Sequence, residues 1–495
     1  MNKTTLALAL ASALPASAVS LNADGVGQAL IYPYYTVQSS GGDAFNTYVS
    51  VVNHTSEAKA LRVRFREGRL GKETLSLNLY LSPNDVWTGA VVPFSGSARL
   101  VSVDRSCTEP RFAQDFAPGE LPFIDFRNDA FSGANDDGAG TGLDRTREGF
   151  VEIIEMGTLT GASAAAATHN SAGFPANCGA LLSGTPSVAA PGGGLSGSLT
   201  LINVANGLDF NVNAEALDQL AQRPFFRAAS DPYPAFDAAE IDPVSVVTAN
   251  GSIYRSTWNR PVDAVSAVLM RERFMGEYVL DTPTASLTDF VMALPTRPYY
   301  ATSTTVTAPF TVPAHWSADC LGPGARQIGE PMSYLFWNRD ELGATASGCG
   351  SLGCGDIGIS TCATSSVFSV LNIALPHIPA GTVPRSAVLG SATLGAPAHQ
   401  AGAVLLVADQ RFQNGWLAGV PDAGQSMTSG AASTRIDSGA GSPVAGAHTF
   451  RGLPMVGFTV RTLRNGTLRC DAGACQGNYG GAFPLKYRRD ISPAN

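Results

Sequence analysis

The residues with the most evident chemical capacity are Trp337-Asn338-Arg339-Asp340-Glu341, which come after Tyr334 and Phe336. An aromatic ring beside carboxylates is a combination that carbohydrate sites use, with a pair of Asp or Glu side chains serving as acid and base. Asp340 and Glu341, with Asp289 as the second carboxylate, are the candidate catalytic set; Trp337 and Arg339 are the candidate binding residues. The competing reading is a strand end with an internal Arg–carboxylate pair. Trp337, like Trp87, Trp258 and Trp316, is equally a core residue.

A second cluster, Asn135-Asp136-Asp137-Gly138 with Asp144 downstream, offers oxygen ligands of the kind Ca²⁺ takes, although the order departs from the EF-hand loop. Calcium is the one possible cofactor; otherwise none is expected. Arg62, Arg64 and Arg66 alternate with Leu61, Val63 and Phe65, which reads either as an anion-binding row or as the wet face of a sheet. The six histidines are scattered, with no HExxH or HxxxH pair, so a zinc enzyme of the usual kind is disfavoured. Gly194-Leu195-Ser196-Gly197 places its second Gly one position early for a nucleophile elbow, and Gly25-Val26-Gly27 lacks the third Gly of a dinucleotide loop.

The chain that must position these groups has 495 residues, only 15% of them charged, with 53 Gly and 31 Pro. That composition excludes a coiled coil or helical bundle, while 44% hydrophobic residues exclude wholesale disorder. A net charge of −8 provides no footprint for phosphate backbones, so nucleic acid is not an expected partner. Lys3, the apolar run Leu6 to Leu14 and Ala16-Ser17-Ala18 form a signal-peptide pattern ending at residue 18, which predicts export by the Sec pathway and a mature chain starting near Val19. No later run is long and apolar enough for a membrane-spanning helix. In an oxidising compartment the eight cysteines read as four bridges. Spacing suggests Cys349–Cys354 and Cys470–Cys475 as small loops; of the three pairings open to the remaining four cysteines, Cys107–Cys178 with Cys320–Cys362 is the expected one.

Period-two alternation runs from Asn46 to Val103, with Leu75, Leu77, Leu79 and Leu81 on one face, and predicts antiparallel strands. Phe150 to Glu155, Leu199 to Val204 and Leu208 to Ala214 continue the pattern. Further strands are expected at Tyr278 to Leu280, Asp289 to Met292, Ser303 to Val312, Tyr334 to Trp337, Val367 to Ile373, Ala403 to Val407 and Met455 to Leu463. Two short helices are expected, Glu215 to Gln222 and Asp263 to Phe274, the latter N-capped by Asp263. The fold class is mainly β, antiparallel β-sandwich units of Ig-like or jelly-roll-like type with long Gly/Ala/Pro-rich loops. The expected units are 19–156 and 198–312, separated by a small-residue linker or surface excursion at 157–197, and a disulfide-containing unit at 313–495.

Several blocks carry a resemblance: Ile31-Tyr32-Pro33-Tyr34-Tyr35-Thr36-Val37, Val51-Val52-Asn53, Val63-Arg64-Phe65-Arg66-Glu67-Gly68, Leu79-Tyr80-Leu81-Ser82-Pro83-Asn84-Asp85-Val86-Trp87 and Phe336-Trp337-Asn338-Arg339-Asp340-Glu341. Together with Asp144 to Glu152, Thr288 to Val291 and Gly452-Leu453-Pro454, they make most of the mature chain similar to an uncharacterised family of exported, surface-associated proteins of Gram-negative bacteria. The resemblance implies export and surface association and carries no activity. It favours a Cys320–Cys362 bridge; Phe290 stands where the family has Trp, and Cys349 and Cys354 are an added pair. The leading functional expectation is a non-enzymatic envelope, periplasmic or extracellular protein with a structural or partner-binding role toward a protein or glycan at the cell surface. A carbohydrate-active enzyme or carbohydrate-binding module is one alternative, a calcium-dependent surface protein the other.

Overall fold

The computed structural model describes residues 18–494 apart from 41–42, 113–120, 233–234, 282, 315–329, 348–357, 363–367, 375–387, 389–401, 408–409, 440–441 and 471–472. It is mainly β, 50% strand and 10% helix, in several antiparallel sheets. In chain order the elements used below are β1 (Ala29–Thr36), β2 (Asn46–Asn53), β3 (Lys59–Glu67), β4 (Glu73–Leu81), β5 (Val86–Phe94), β6 (Ser97–Val101), β7 (Cys107–Glu109), β8 (Glu148–Leu159), α1 (Gly161–Ala167), α2 (Cys178–Leu182), β9 (Leu195–Asn203), β10 (Leu208–Asn213), β11 (Glu215–Asp218), α3 (Pro261–Leu269), β12 (Arg273–Val279), β13 (Leu287–Ala293), β14 (Met332–Asn338), β15 (Gly343–Ser347), β16 (Asn414–Pro421), β17 (Val456–Cys470), β18 (Gly473–Pro484) and β19 (Lys486–Arg488).

Four sheets matter for the site. One runs β11-β1-β8-β3-β4-β7 and a second β6-β5-β2-β9-β10. A third has the order β15-β14-β16-β12-β19, and in the fourth β13 and β17 lie side by side with β18 beyond them. One cluster of buried apolar side chains has members from Val19 to Ile491, drawn from all four sheets. The alternation read from the sequence sets which face is covered: Leu75, Leu77 and Leu79 on β4 lie opposite Phe65, Val63 and Leu61 on β3, and all six are buried.

The opposite face of β3 corrects an expectation. Arg62, Arg64 and Arg66 are not in solvent; they are 1%, 6% and 7% exposed. Irregular chain around 227–231 and Tyr299 lies over them. Arg62 donates to the carbonyls of Ala228 at 2.6 Å and Ala229 at 3.0 Å, Arg64 pairs with Glu73 at 2.8 Å, and Arg66 pairs with Glu152 at 2.8 Å and reaches Tyr299 Oη. A buried guanidinium without acceptors costs several kcal/mol, so this face is closed by partners rather than left wet. Burial pushes Arg62 down to about 10; burial also works against Arg66, but Glu152 outweighs it and holds that guanidinium above its ordinary range.

Both expected helices change. Glu215 to Gln222 is not a helix: its first four residues form β11, which pairs with β1 through Glu215↔Ile31 and Leu217↔Ala29. An available strand edge overrides a weak helical preference. The second helix is α3, which starts earlier and ends sooner than Asp263 to Phe274. Pro261 occupies its first turn, and Asp263 is the third helical residue, accepting from the Arg260 backbone N–H rather than capping with its own position. From Arg273 the chain is already β12. Residues Ser303 to Val312 form no strand; only an isolated bridge joins Ala301 and Val306.

Cys107 and Cys178 form a disulfide, with Cα atoms 5.5 Å apart, that ties β7 to α2. Cys320, Cys349 and Cys354 lie outside the described residues, as do Trp316, the segment 1–17 and the side chains of Cys362, Cys470 and Cys475.

Candidate functional site

The block 336–341 is a strand end and a turn. Phe336 is fully buried, and Asn338 organises the turn: its Oδ1 accepts from the backbone N–H groups of Asp340 and Leu342, both at 2.9 Å, and its Nδ2 donates to the Arg411 carbonyl. Arg339, Asp340 and Glu341 are exposed on this turn, with Glu341 in the left-handed region at φ 63°. Asp289 sits elsewhere, wholly buried on β13, its Oδ2 accepting from the Val388 N–H. A fully covered carboxylate cannot share an open cleft with two exposed ones, so the structure does not assemble these three into an acid–base pair.

Trp337 has a different setting. It lies directly opposite Trp416 across β14 and β16, and Trp416 lies directly opposite Glu277 across β16 and β12. The two indoles stack with ring centroids 3.9 Å apart and planes 7° from parallel. Trp416 remains 36% exposed. Its neighbour Gly415 explains the close approach, since a Cβ there would collide with the Trp337 carbonyl oxygen. Beneath the strands Tyr278 and Phe336 pack edge to face at 5.9 Å, fixing the register from the core side.

A groove of about 350 Å³ opens beside Trp416. Glu277, Arg461, Phe483 and Lys486 line it with Trp416. Arg461, on β17, donates to Glu277 at 3.0 Å and lies 3.9 Å above the Phe483 ring, so one guanidinium is held by a carboxylate and an aromatic face together. The groove exists because the third and fourth sheets approach closely at Gly276, where a Cβ would meet Phe290 at 2.6 Å and Thr459 at 2.8 Å. Aromatic walls with a few convergent polar groups suit recognition of a ligand that is part apolar and part hydroxylated. Trp416, Glu277, Arg461, Phe483 and Lys486 were not candidates from sequence. Each sits in an unremarkable alternating strand, and only the pairing of distant strands brings them beside Trp337.

The acidic loop uses its charges internally. Arg145 donates to Asp137 through both terminal nitrogens at 2.7 Å and to Glu67 at 2.9 and 3.0 Å. Burial disfavours the charged form of Asp137, but the hydrogen bonds and charge of Arg145 outweigh this and hold its carboxyl below the ordinary range. Asp144 pairs with Arg69, Asp136 accepts from the Gly138 N–H, and the Asn135 amide donates to the Asp129 carbonyl. Among the described residues no group of three His, Cys, Asp or Glu is placed to hold a metal. Ser196 and His54 are hydrogen-bonded at 2.7 Å on an exposed sheet face, without a carboxylate hydrogen-bonded to the ring among the described residues. The third member of a hydrolase triad is therefore not in place. Likewise, among the described residues no helix is long and apolar enough to cross a membrane.

Comparison with protein-family models, with curated proteins and with solved structures gives no match to this chain.

Proposed function

We propose that this chain is an exported, non-enzymatic envelope or extracellular protein of the surface-associated family it resembles, and that its role is to bind a glycan on the face built by β14, β16 and β12. The observation that carries the reading is the Trp337–Trp416 stack set against the groove containing Glu277, Arg461 and Phe483. The electron-rich face of an indole attracts the weakly positive C–H edges of a sugar ring, while carboxylate and guanidinium groups beside it take the hydroxyls. Glu277, a carboxylate lining the groove, is engaged by Arg461 at 3.0 Å, a pairing suited to holding hydroxyls. Export is supported by the pattern of residues 3–18 and by the Cys107–Cys178 bridge, since structural disulfides persist where the surroundings are oxidising.

The test is affinity electrophoresis and calorimetric titration of the purified protein against soluble polysaccharides, beside a Trp416→Ala variant checked for folding by its thermal transition. Retardation by at least one polysaccharide, lost in Trp416→Ala, supports the reading. Equal behaviour of the two proteins across the panel removes this face as the site.

A further inference from the structure

The groove beside Trp416 has a charge character that the chain as a whole does not share. The molecule is acidic, with a net charge of −8, yet the groove is lined by Arg461 and Lys486 against Glu277, and Arg273 and Arg488 lie nearby on β12 and β19 with Glu272 beside them. Arg273 and Arg488 are directly opposite each other across β12 and β19, and Lys486 is opposite Met275 in the next row toward Glu277. Like charges facing each other across a ladder are destabilising. Glu272 offsets part of this from 3.7 Å to each of the two arginines, and Glu277 engages Arg461 at 3.0 Å. Lys486 is exposed and has no ion-pair partner among the described residues. A cation with no carboxylate of its own among the described residues therefore lines the same groove as a partly exposed indole.

Resting on the glycan reading, we infer that the ligand is an acidic glycan, whose anionic substituent is held at Lys486 with help from Arg461 while a sugar ring lies on Trp416. The lysine is a point charge and places no planar demand on its partner, so a carboxylate and a sulfate are both chemically suitable. The Phe483 ring, 3.9 Å from the Arg461 guanidinium, holds it at the groove wall. Glu277 then limits the number of anionic groups the site tolerates, because a second one near Arg461 would meet its carboxylate.

The experiment measures binding of oligogalacturonate, its fully methyl-esterified form, dextran and dextran sulfate to the wild type and to Lys486→Gln and Lys486→Arg. Oligogalacturonate is expected to bind more tightly than its methyl ester, with an advantage that shrinks as salt rises. Lys486→Gln should lower oligogalacturonate affinity about fivefold, the scale of one solvent-exposed ion pair, and leave the methyl ester unchanged; Lys486→Arg should restore it. Tighter binding of dextran sulfate than of oligogalacturonate, with the same Lys486 dependence, assigns the anion as sulfate. Equal affinity for charged and esterified sugars, or indifference to Lys486→Gln, overturns the acidic-ligand inference while leaving the glycan reading in place. Absence of binding to every saccharide overturns both.

Discussion

Trp337 and Trp416 face each other across two neighbouring strands with their indoles 3.9 Å apart and nearly parallel. The groove is lined by Trp416 and not by Trp337, so the second ring acts as a brace that fixes the angle of the first. A stacked aromatic pair is worth about 0.5–1.5 kcal/mol beyond its burial. Trp337→Ala is accordingly expected to weaken saccharide binding through Trp416 rather than by loss of a direct contact. Two coupled indoles give a paired far-ultraviolet circular dichroism band that one indole cannot. That band should vanish equally in Trp337→Phe and Trp416→Phe; its survival in either variant would show that the stack does not form in solution.

Arg145 joins the 137–145 loop to Glu67 at the end of β3, and Glu67 also accepts from the backbone N–H groups of Arg69, Leu70 and Lys72. Removing the guanidinium leaves Glu67 buried and without its counter-charge, which for a buried pair costs about 3–5 kcal/mol. Arg145→Ala should show that loss in denaturant unfolding. Because the loop's carboxylates are already occupied, millimolar calcium or a chelator should leave the wild-type melting temperature unchanged. A rise with calcium would mean that the ion displaces Arg145 and that its pairing with Asp137 is not the final state of the loop.

The Cys107–Cys178 bridge closes a stretch of 71 residues. Loop-closure entropy for that length gives roughly 4 kcal/mol of stabilisation through the unfolded state. The double substitution Cys107→Ala with Cys178→Ala should lower stability by that order and make the chain around α1 and α2 the first to be cut by protease. An unchanged proteolysis pattern would assign the anchoring of this excursion to its packing alone.

His448 is 3% exposed, packed edge to face on Tyr254 at 5.1 Å, and its neighbourhood includes Arg435. Burial, with Arg435 adding to it, lowers its pKa below the ordinary 6.5. The folded state therefore binds fewer protons here than the unfolded state. Stability from the neutral imidazole is complete above pH 6.5 and declines as pH falls below it. Melting temperature should drop between about pH 6.5 and 5 by more in the wild type than in His448→Gln. Parallel curves for the two proteins would place the acid sensitivity in other groups.

Much of the architecture is legible in the sequence because it depends on side-chain period alone. The leucines of β4, the hairpin of β9 and β10 and the strands around Tyr334 and Phe290 all arise from residues alternating between two environments. What sequence cannot supply is the identity of the environment on the second face. The arginine row of β3 has the pattern of a wet surface, yet chain from 227–231 and Tyr299 closes over it, a consequence of contacts remote in sequence. Glu215 has helical neighbours in composition but lies beside the free edge of β1, and the edge decides its state.

The candidate site divides in the same way. The sequence by itself determined that Trp337 belongs to a strand end, that Asn338 to Glu341 form a polar cluster and that the chain is acidic, turn-rich and β-forming. Only the tertiary structure decided that the polar cluster is a turn organised by Asn338, and that Asp289 is sealed away from it. The partners of Trp337 are Trp416 beside it and, through Trp416, Glu277, Arg461 and Lys486. The physical reason is register: strand pairing is specified by the packing of whole faces against one another. The residues that meet at one point of a sheet are therefore set by every contact along it and not by the residues of any one segment.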